Sequence, residues 1–129
     1  MRWILIPLLA FVFSGRPLVA ADPDFETTIG PLLTKRCLEC HQSVNPCGNL
    51  AIDTAAGIFA GGDSGKALVP GSPDQSLLFQ KVNAGEMPPE RNGHSRRLAD
   101  SEIEIVRQWI AAGAVYPQGK KLDLFDRTT

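Results

Sequence analysis

Five consecutive residues stand out for what their side chains can do together: Cys37-Leu38-Glu39-Cys40-His41. Two thiols three positions apart, followed at once by an imidazole, form the pattern by which a chain carries a c-type haem. Each residue type has its own task there. The two sulfurs add to the haem vinyl groups, and His41 presents a neutral imidazole to the iron. The same spacing suits a Cys37–Cys40 disulfide of thioredoxin type, but that option leaves His41 unexplained and lacks an alternating strand and helix pattern before the motif. Tetrahedral zinc on Cys37, Cys40, His41 and Cys47 crowds three ligands into five residues. Haem ranks first, disulfide chemistry second and zinc third.

An iron held by His41 has a second axial face. Met87 is the only methionine besides Met1. Pro88 holds Met87 in extended backbone, and Pro88-Pro89 stiffens the loop that presents the thioether. A lone methionine is commonly core filler. The polar surroundings of this one, Asn83-Ala84-Gly85-Glu86-Met87-Pro88-Pro89, offer no core to fill, so it reads as a ligand. His94 is the rival, in Asn92-Gly93-His94-Ser95-Arg96-Arg97. A solvated surface histidine is its plainer reading, with bis-histidine ligation a minority alternative. The choice matters because a thioether favours reduced iron and raises the potential relative to two imidazoles.

These side chains need elements to position them. Asp24 to Arg36 reads as a helix feeding the motif, capped by Asp24, with Phe25, Ile29, Leu32 and Leu33 on one face and a kink or late start at Pro31. From Gln42 to Pro73 the chain is rich in Gly, Pro, Asp and Ser, which predicts ordered loop with a short helical turn around Ala55 to Phe59. So long an irregular stretch suits a small domain when a cofactor gives it something to wrap. Ser72-Pro73-Asp74 predicts the start of a second helix, with Leu77, Leu78 and Val82 as its apolar face and Gly85 at its end. A last helix is capped by Asp100, carries Ile103, Val106, Trp109 and Ile110 as a stripe, and closes at Gly113. Trp109 reads as core.

Thioether attachment of haem takes place outside the cytoplasm, and the N-terminus has the composition of an export signal. Arg2 provides the positive region, Ile4 to Phe13 the apolar region, and Val19-Ala20-Ala21 the small residues before a cut. A membrane anchor needs about 20 apolar residues, and Ser14, Gly15 and Arg16 interrupt this run. The expected organisation is a signal peptide over 1–21, one small domain over 22–117 and a short polar tail over 118–129, in a periplasmic or otherwise exported protein with no membrane insertion after cleavage. Removing Arg2 and Arg16 takes Lys plus Arg from 13 to 11 against 14 acids, a formal charge of −3. That balance argues against nucleic acid and anionic membrane as partners. A domain of this size has a marginal apolar core, to which a central haem adds buried surface.

With these residues assembled, the chain resembles the planctomycete-type cytochrome c domain, a variant of the class I fold. The resemblance runs from Phe25, Ile29, Pro31 and Leu33 through Cys37-Leu38-Glu39-Cys40-His41, Gly61-Gly62-Asp63-Ser64-Gly65 and Val69-Pro70-Gly71-Ser72-Pro73. It continues through Ser76-Leu77-Leu78, Met87-Pro88-Pro89 and Trp109-Ile110-Ala111-Ala112-Gly113-Ala114 to Tyr116-Pro117. It implies a mainly α, small cytochrome c-like fold, with three to four helices and long loops wrapped around one covalently bound haem c. It places the thioethers on Cys37 and Cys40, the proximal ligand on His41 and the distal ligand on Met87. The implied function is electron transfer rather than catalysis, with redox proteins or a larger oxidoreductase assembly as partners. Alternatives are a haem peroxidase or gas or redox sensor with a labile distal ligand, and a haem-free dithiol oxidoreductase. Where the family tends to show Gly-Gly-Leu this chain has Cys47-Gly48-Asn49-Leu50, and Cys47 has no assigned role. In that family the domain often begins a much longer chain, so both a free-standing carrier and a fragment remain open.

Overall fold

Asp24 starts the first helical element by accepting the Thr27 N–H at 2.8 Å and the Thr27 hydroxyl at 2.9 Å. The computed structural model describes residues 21–126. The signal peptide expected over 1–21 therefore lies, except for Ala21, outside the described residues, as do the last three residues of the tail. Phe25–Ile29 is wound as a π turn in which the Gly30 N–H reaches back to the Phe25 carbonyl. Pro31 explains the wider winding: it has no N–H for the Thr27 carbonyl, and its ring crowds that oxygen. A regular helix, α1, follows over Gly30–Arg36. Together the two segments bury Phe25, Ile29, Leu32 and Leu33, the face expected from spacing.

The short helix in the loop region is α2, Ala55–Ala60, capped by Thr54, whose hydroxyl accepts the Gly57 N–H at 3.1 Å. Gly57 is required by a close approach, since a Cβ there would lie 2.6 Å from the Ala51 carbonyl oxygen. The next helix differs from expectation. Ser72-Pro73 opens only a 3-10 turn, Pro73–Gln75, and α3 spans Leu77–Asn83. Ser76 breaks the two apart: it is fully buried, and its hydroxyl accepts the Val69 N–H and donates to the Ser72 carbonyl. Its hydrogen bonds hold the backbone extended where a continuous helix would run. The helix α4, Asp100–Ala111, also starts differently. Ala99, not Asp100, is the cap residue, and the Glu102 carboxylate accepts the Ala99 N–H at 2.8 Å. Asp100 pairs instead with Arg97 at 2.9 Å.

Among the described residues the fold is mainly helical, with four α-helices, short helical turns and no sheet. Isolated pairings such as Gly62 with Gly65 and Arg91 with His94 mark tight turns. Helix α4 packs on α3 and on the π turn, and its stripe of Ile103, Val106, Trp109 and Ile110 is buried. Phe25 stacks at a tilt on Tyr116, with ring centroids 4.3 Å apart, and lies 6.4 Å from Trp109. Trp109 belongs to the core, as expected, and its indole N–H donates to the Val115 carbonyl. The segment after Pro117 is packed against the body. Leu122 is buried, its N–H donates to the Asp53 carbonyl at 2.8 Å, and Lys120 pairs with Glu26.

Candidate functional site

The end of α1 runs straight into Cys37-Leu38-Glu39-Cys40-His41. The N–H groups of Cys37 and Leu38 both reach the Leu33 carbonyl, and those of Cys40 and His41 both reach the Cys37 carbonyl. The motif is thus coiled into one further turn. Leu38 points into the core and is fully buried, while Glu39 is exposed. Cys37, Cys40 and His41 line one side of an apolar cleft.

His41 is held at two points. Its Nδ1 lies 3.1 Å from the Leu50 carbonyl oxygen, and its own carbonyl accepts the Ile52 N–H at 2.9 Å. A carbonyl only accepts, so Nδ1 carries the hydrogen, and in the neutral ring that tautomer leaves the lone pair on Nε2. The segment behind His41 is fixed by Asp53, which is 2 % exposed. Its carboxylate accepts the Ser43 hydroxyl at 2.6 Å and the Ser43 N–H at 3.2 Å. Ile52 is tied to the core by the Tyr116 hydroxyl, which donates to its carbonyl at 3.0 Å. Burial, followed by the nearby Asp53 charge, raises the Tyr116 phenol well above its ordinary range. Neither Leu50 nor Asp53 was expected. Leu50 acts through a backbone oxygen, which leaves no mark on residue type, and Asp53 sits among loop acids that are usually solvated.

Further cleft walls come from α3 and the loop after it. Of the expected apolar face, Leu77 and Leu78 are half-buried and line the cleft, and Val82 is buried and also reaches it, while Phe79 fills the core. The loop hangs from the end of α3, because the N–H groups of Glu86 and Met87 both donate to the Lys81 carbonyl. Lys81 and Glu86 also pair through their side chains. Met87 and Pro89 line the cleft, and Met87 keeps 39 % of its surface exposed. The structure therefore brings Cys37, Cys40, His41 and Met87 together around one cavity. His94 does not join them: it is exposed, on a turn closed by reciprocal backbone bonds with Arg91.

Two charged residues, Glu39 within the motif and Arg36 just before it, reach across to the segment beyond Met87. Glu39 accepts from Arg91 at 2.7 Å and from Arg96 at 3.0 Å, which holds its carboxyl below the usual range. Arg36 donates to the Arg97 carbonyl at 3.0 Å and pairs with Glu102 at 3.3 Å. Its Nε is buried without a protein partner. Burial pushes the Cys37 thiol up to about 12, against the opposing charge of Arg36. Cys40 is raised as well, by burial and then by Cys47 and Glu39. A reactive dithiol needs a lowered thiol, so this environment does not favour dithiol catalysis. Zinc lacks its donors too, since among the described residues no three His, Cys, Asp or Glu side chains group as a metal cluster.

Residues 37–91 match the family model described as planctomycete cytochrome C. That stretch opens on Cys37 and closes on Arg91, so it includes both the His41 and the Met87 sides of the cleft. Among solved structures, hydrazine synthase of Kuenenia stuttgartiensis is similar at 26% sequence identity and a TM-score of 0.44. The match covers 78% of this chain and 18% of that one, so this chain spans less than a fifth of that protein's length. No curated protein matches the chain.

Proposed function

For a chain whose residues 37–91 are a planctomycete cytochrome c domain, we propose one-electron transfer through a single haem c. Cys37 and Cys40 would hold the group by thioethers, and His41 and Met87 would offer its iron an imidazole and a thioether. The observation that carries the proposal is the His41 Nδ1 hydrogen bond to Leu50, which leaves Nε2 as a free donor beside a cleft that Met87 also lines. The donor set fits the group: one imidazole, one thioether and two thiols at the attachment spacing. When bound, the haem iron supplies the one-electron couple.

The chain's own residues set the conditions for that couple. Leu50, Leu77, Leu78 and Val82 make the cleft apolar, which excludes water and keeps reorganisation small. The Leu50 carbonyl fixes the tautomer and orientation of His41 and raises its basicity as a ligand. Met87, a soft donor, favours the reduced state. With His41 and Met87 both donating to the iron, no open position would be left for substrate, which favours a carrier over an enzyme. Export of the mature chain and redox-protein partners belong to the same proposal, supported by the N-terminal pattern of Arg2, Ile4 to Phe13 and Val19-Ala20-Ala21.

A second reading is favoured by the exposure of Met87: a methionine that leaves the iron readily would give a peroxidase or a sensor of small ligands. The deciding experiment has two parts. The mass of the purified chain is expected to rise by one haem while two of its three thiols become unreactive. The oxidised spectrum is expected to show the methionine–iron charge-transfer band, and its absence in the wild type would replace the carrier with the second reading.

A further inference from the structure

Cys47 is the cysteine that haem attachment leaves without a task, and it does not stand apart from the motif. Its N–H donates to the Cys40 carbonyl at 2.9 Å, which closes a tight loop and brings the two residues within the reach of a disulfide. Their side chains also share a surface, since both residues line the same cleft. Cys37 is placed differently. It packs against the hydrophobic core, whereas Cys47 is exposed. The exposed thiol is thus tied by a backbone bond to Cys40.

We infer that Cys40 and Cys47 form a reversible disulfide in the haem-free protein, and that this bond gates haem attachment at Cys40. The chemistry is thiol–disulfide exchange, with a small-molecule or protein disulfide as oxidant. The Cys47 sulfur attacks one sulfur of the oxidant and expels the other as a thiol. The Cys40 sulfur then attacks Cys47 in the mixed disulfide, forms the Cys40–Cys47 bond and expels the second thiol. Two electrons and two protons pass from the cysteine pair to the oxidant. A dithiol reductant reverses both steps.

The bond changes what the motif can do. Oxidised Cys40 has no S–H to add across a vinyl group, so only Cys37 remains for attachment. Reduction restores the pair. A thioether at Cys40, once made, does not exchange with thiols, and Cys47 is then left as a free thiol beside it. Loading is therefore decided before attachment and fixed after it. The gate rests on the haem assignment proposed above, whereas the disulfide rests on the placement of the two cysteines alone.

The test uses the full chain, as wild type and as Cys47→Ser, made with and without a cytochrome c maturation system. Haem-free wild type is equilibrated with glutathione disulfide and mapped by peptide mass after alkylation. The expected product joins Cys40 to Cys47 and leaves Cys37 open to alkylation. Prior oxidation is expected to lower haem attachment at Cys40, read from the peptide masses, at least about tenfold in the wild type and less than about twofold in Cys47→Ser, with dithiothreitol restoring the wild type. A Cys37–Cys40 bond, a Cys47-linked dimer or three alkylatable thiols overturns the disulfide. Equal loss of incorporation in both proteins overturns the gate. Failure of every reduced sample to take haem overturns the gate together with the haem assignment, and the peptide map still decides the disulfide.

Discussion

The Nδ1 atom of His41 lies 3.1 Å from the carbonyl oxygen of Leu50. That contact connects the attachment motif to the loop that follows it, and it selects one tautomer of the imidazole. The loop is itself restrained, because Ile52 bonds to the His41 carbonyl through its N–H and to Tyr116 through its own carbonyl. The orientation of the His41 ring is thus tied to the core through the backbones of Leu50 and Ile52.

Met87 lines the cleft shared by His41, and replacing it tests the distal assignment directly. In oxidised Met87→Ala, the methionine–iron charge-transfer band is expected to vanish. Cyanide binding is expected to accelerate by at least about tenfold, the rate equivalent of ~1.4 kcal/mol. Met87→His is expected to retain two strong axial ligands and to show a lower midpoint potential by redox titration, since imidazole replaces a donor that favours reduced iron. An unchanged spectrum in Met87→Ala would remove Met87 from the site.

The Glu39 carboxyl, bonded to Arg91 and Arg96, sits below its ordinary value of 4.5. A carboxyl lowered in the folded state contributes stability above its unfolded value and loses it as pH falls through the folded one. The loss therefore belongs below about pH 4.5. Glu39→Gln is expected to melt at a lower temperature than the wild type at pH 7. The two melting curves are expected to converge as pH is lowered through that window, because the wild-type carboxyl is then neutral as well. Thermal midpoints measured across the range check this, and a constant offset would assign the pair no role.

Much of this arrangement is legible from residue types, and the remainder is hidden for definite physical reasons. The motif, Met87 in its polar loop and the stripe of α4 announce themselves through chemistry and period. The split at Ser76 does not, because one buried hydroxyl bonded to Val69 and Ser72 overrides a good helix start. Leu77, Leu78 and Val82 read as one apolar face, and how that face divides between core and cleft is hidden, since apolar character alone does not distinguish a protein interior from a cofactor surface. The Leu50 oxygen leaves no trace in sequence at all.

Asp53 is buried and spends its carboxylate on Ser43, two residues beyond His41. Asp53→Ala leaves the Ser43 N–H and hydroxyl without their acceptor, at a cost of about 1–3 kcal/mol. Denaturant unfolding of the haem-loaded protein measures it. Asp53→Asn keeps one acceptor oxygen and is expected to lose less. Equal losses in the two variants would mean that the hydrogen bonds to Ser43 are not what Asp53 contributes.

The tail after Pro117 looks polar in sequence, and a free end of that composition would tolerate truncation. Leu122 argues otherwise. It is 5% exposed, and its N–H donates to the carbonyl of Asp53, the residue that braces the segment behind His41. Phe125, three residues on, is 87% exposed. Leu122→Ala is expected to cost about 2–4 kcal/mol by removing a buried side chain, whereas Phe125→Ala is expected to stay within about 0.5 kcal/mol of wild type. The larger apolar residue is thus the one whose loss is nearly silent, which is the reverse of what size or hydrophobicity alone would predict. Denaturant midpoints of the two variants decide it, and a silent Leu122→Ala would return the tail to the status of a loose end.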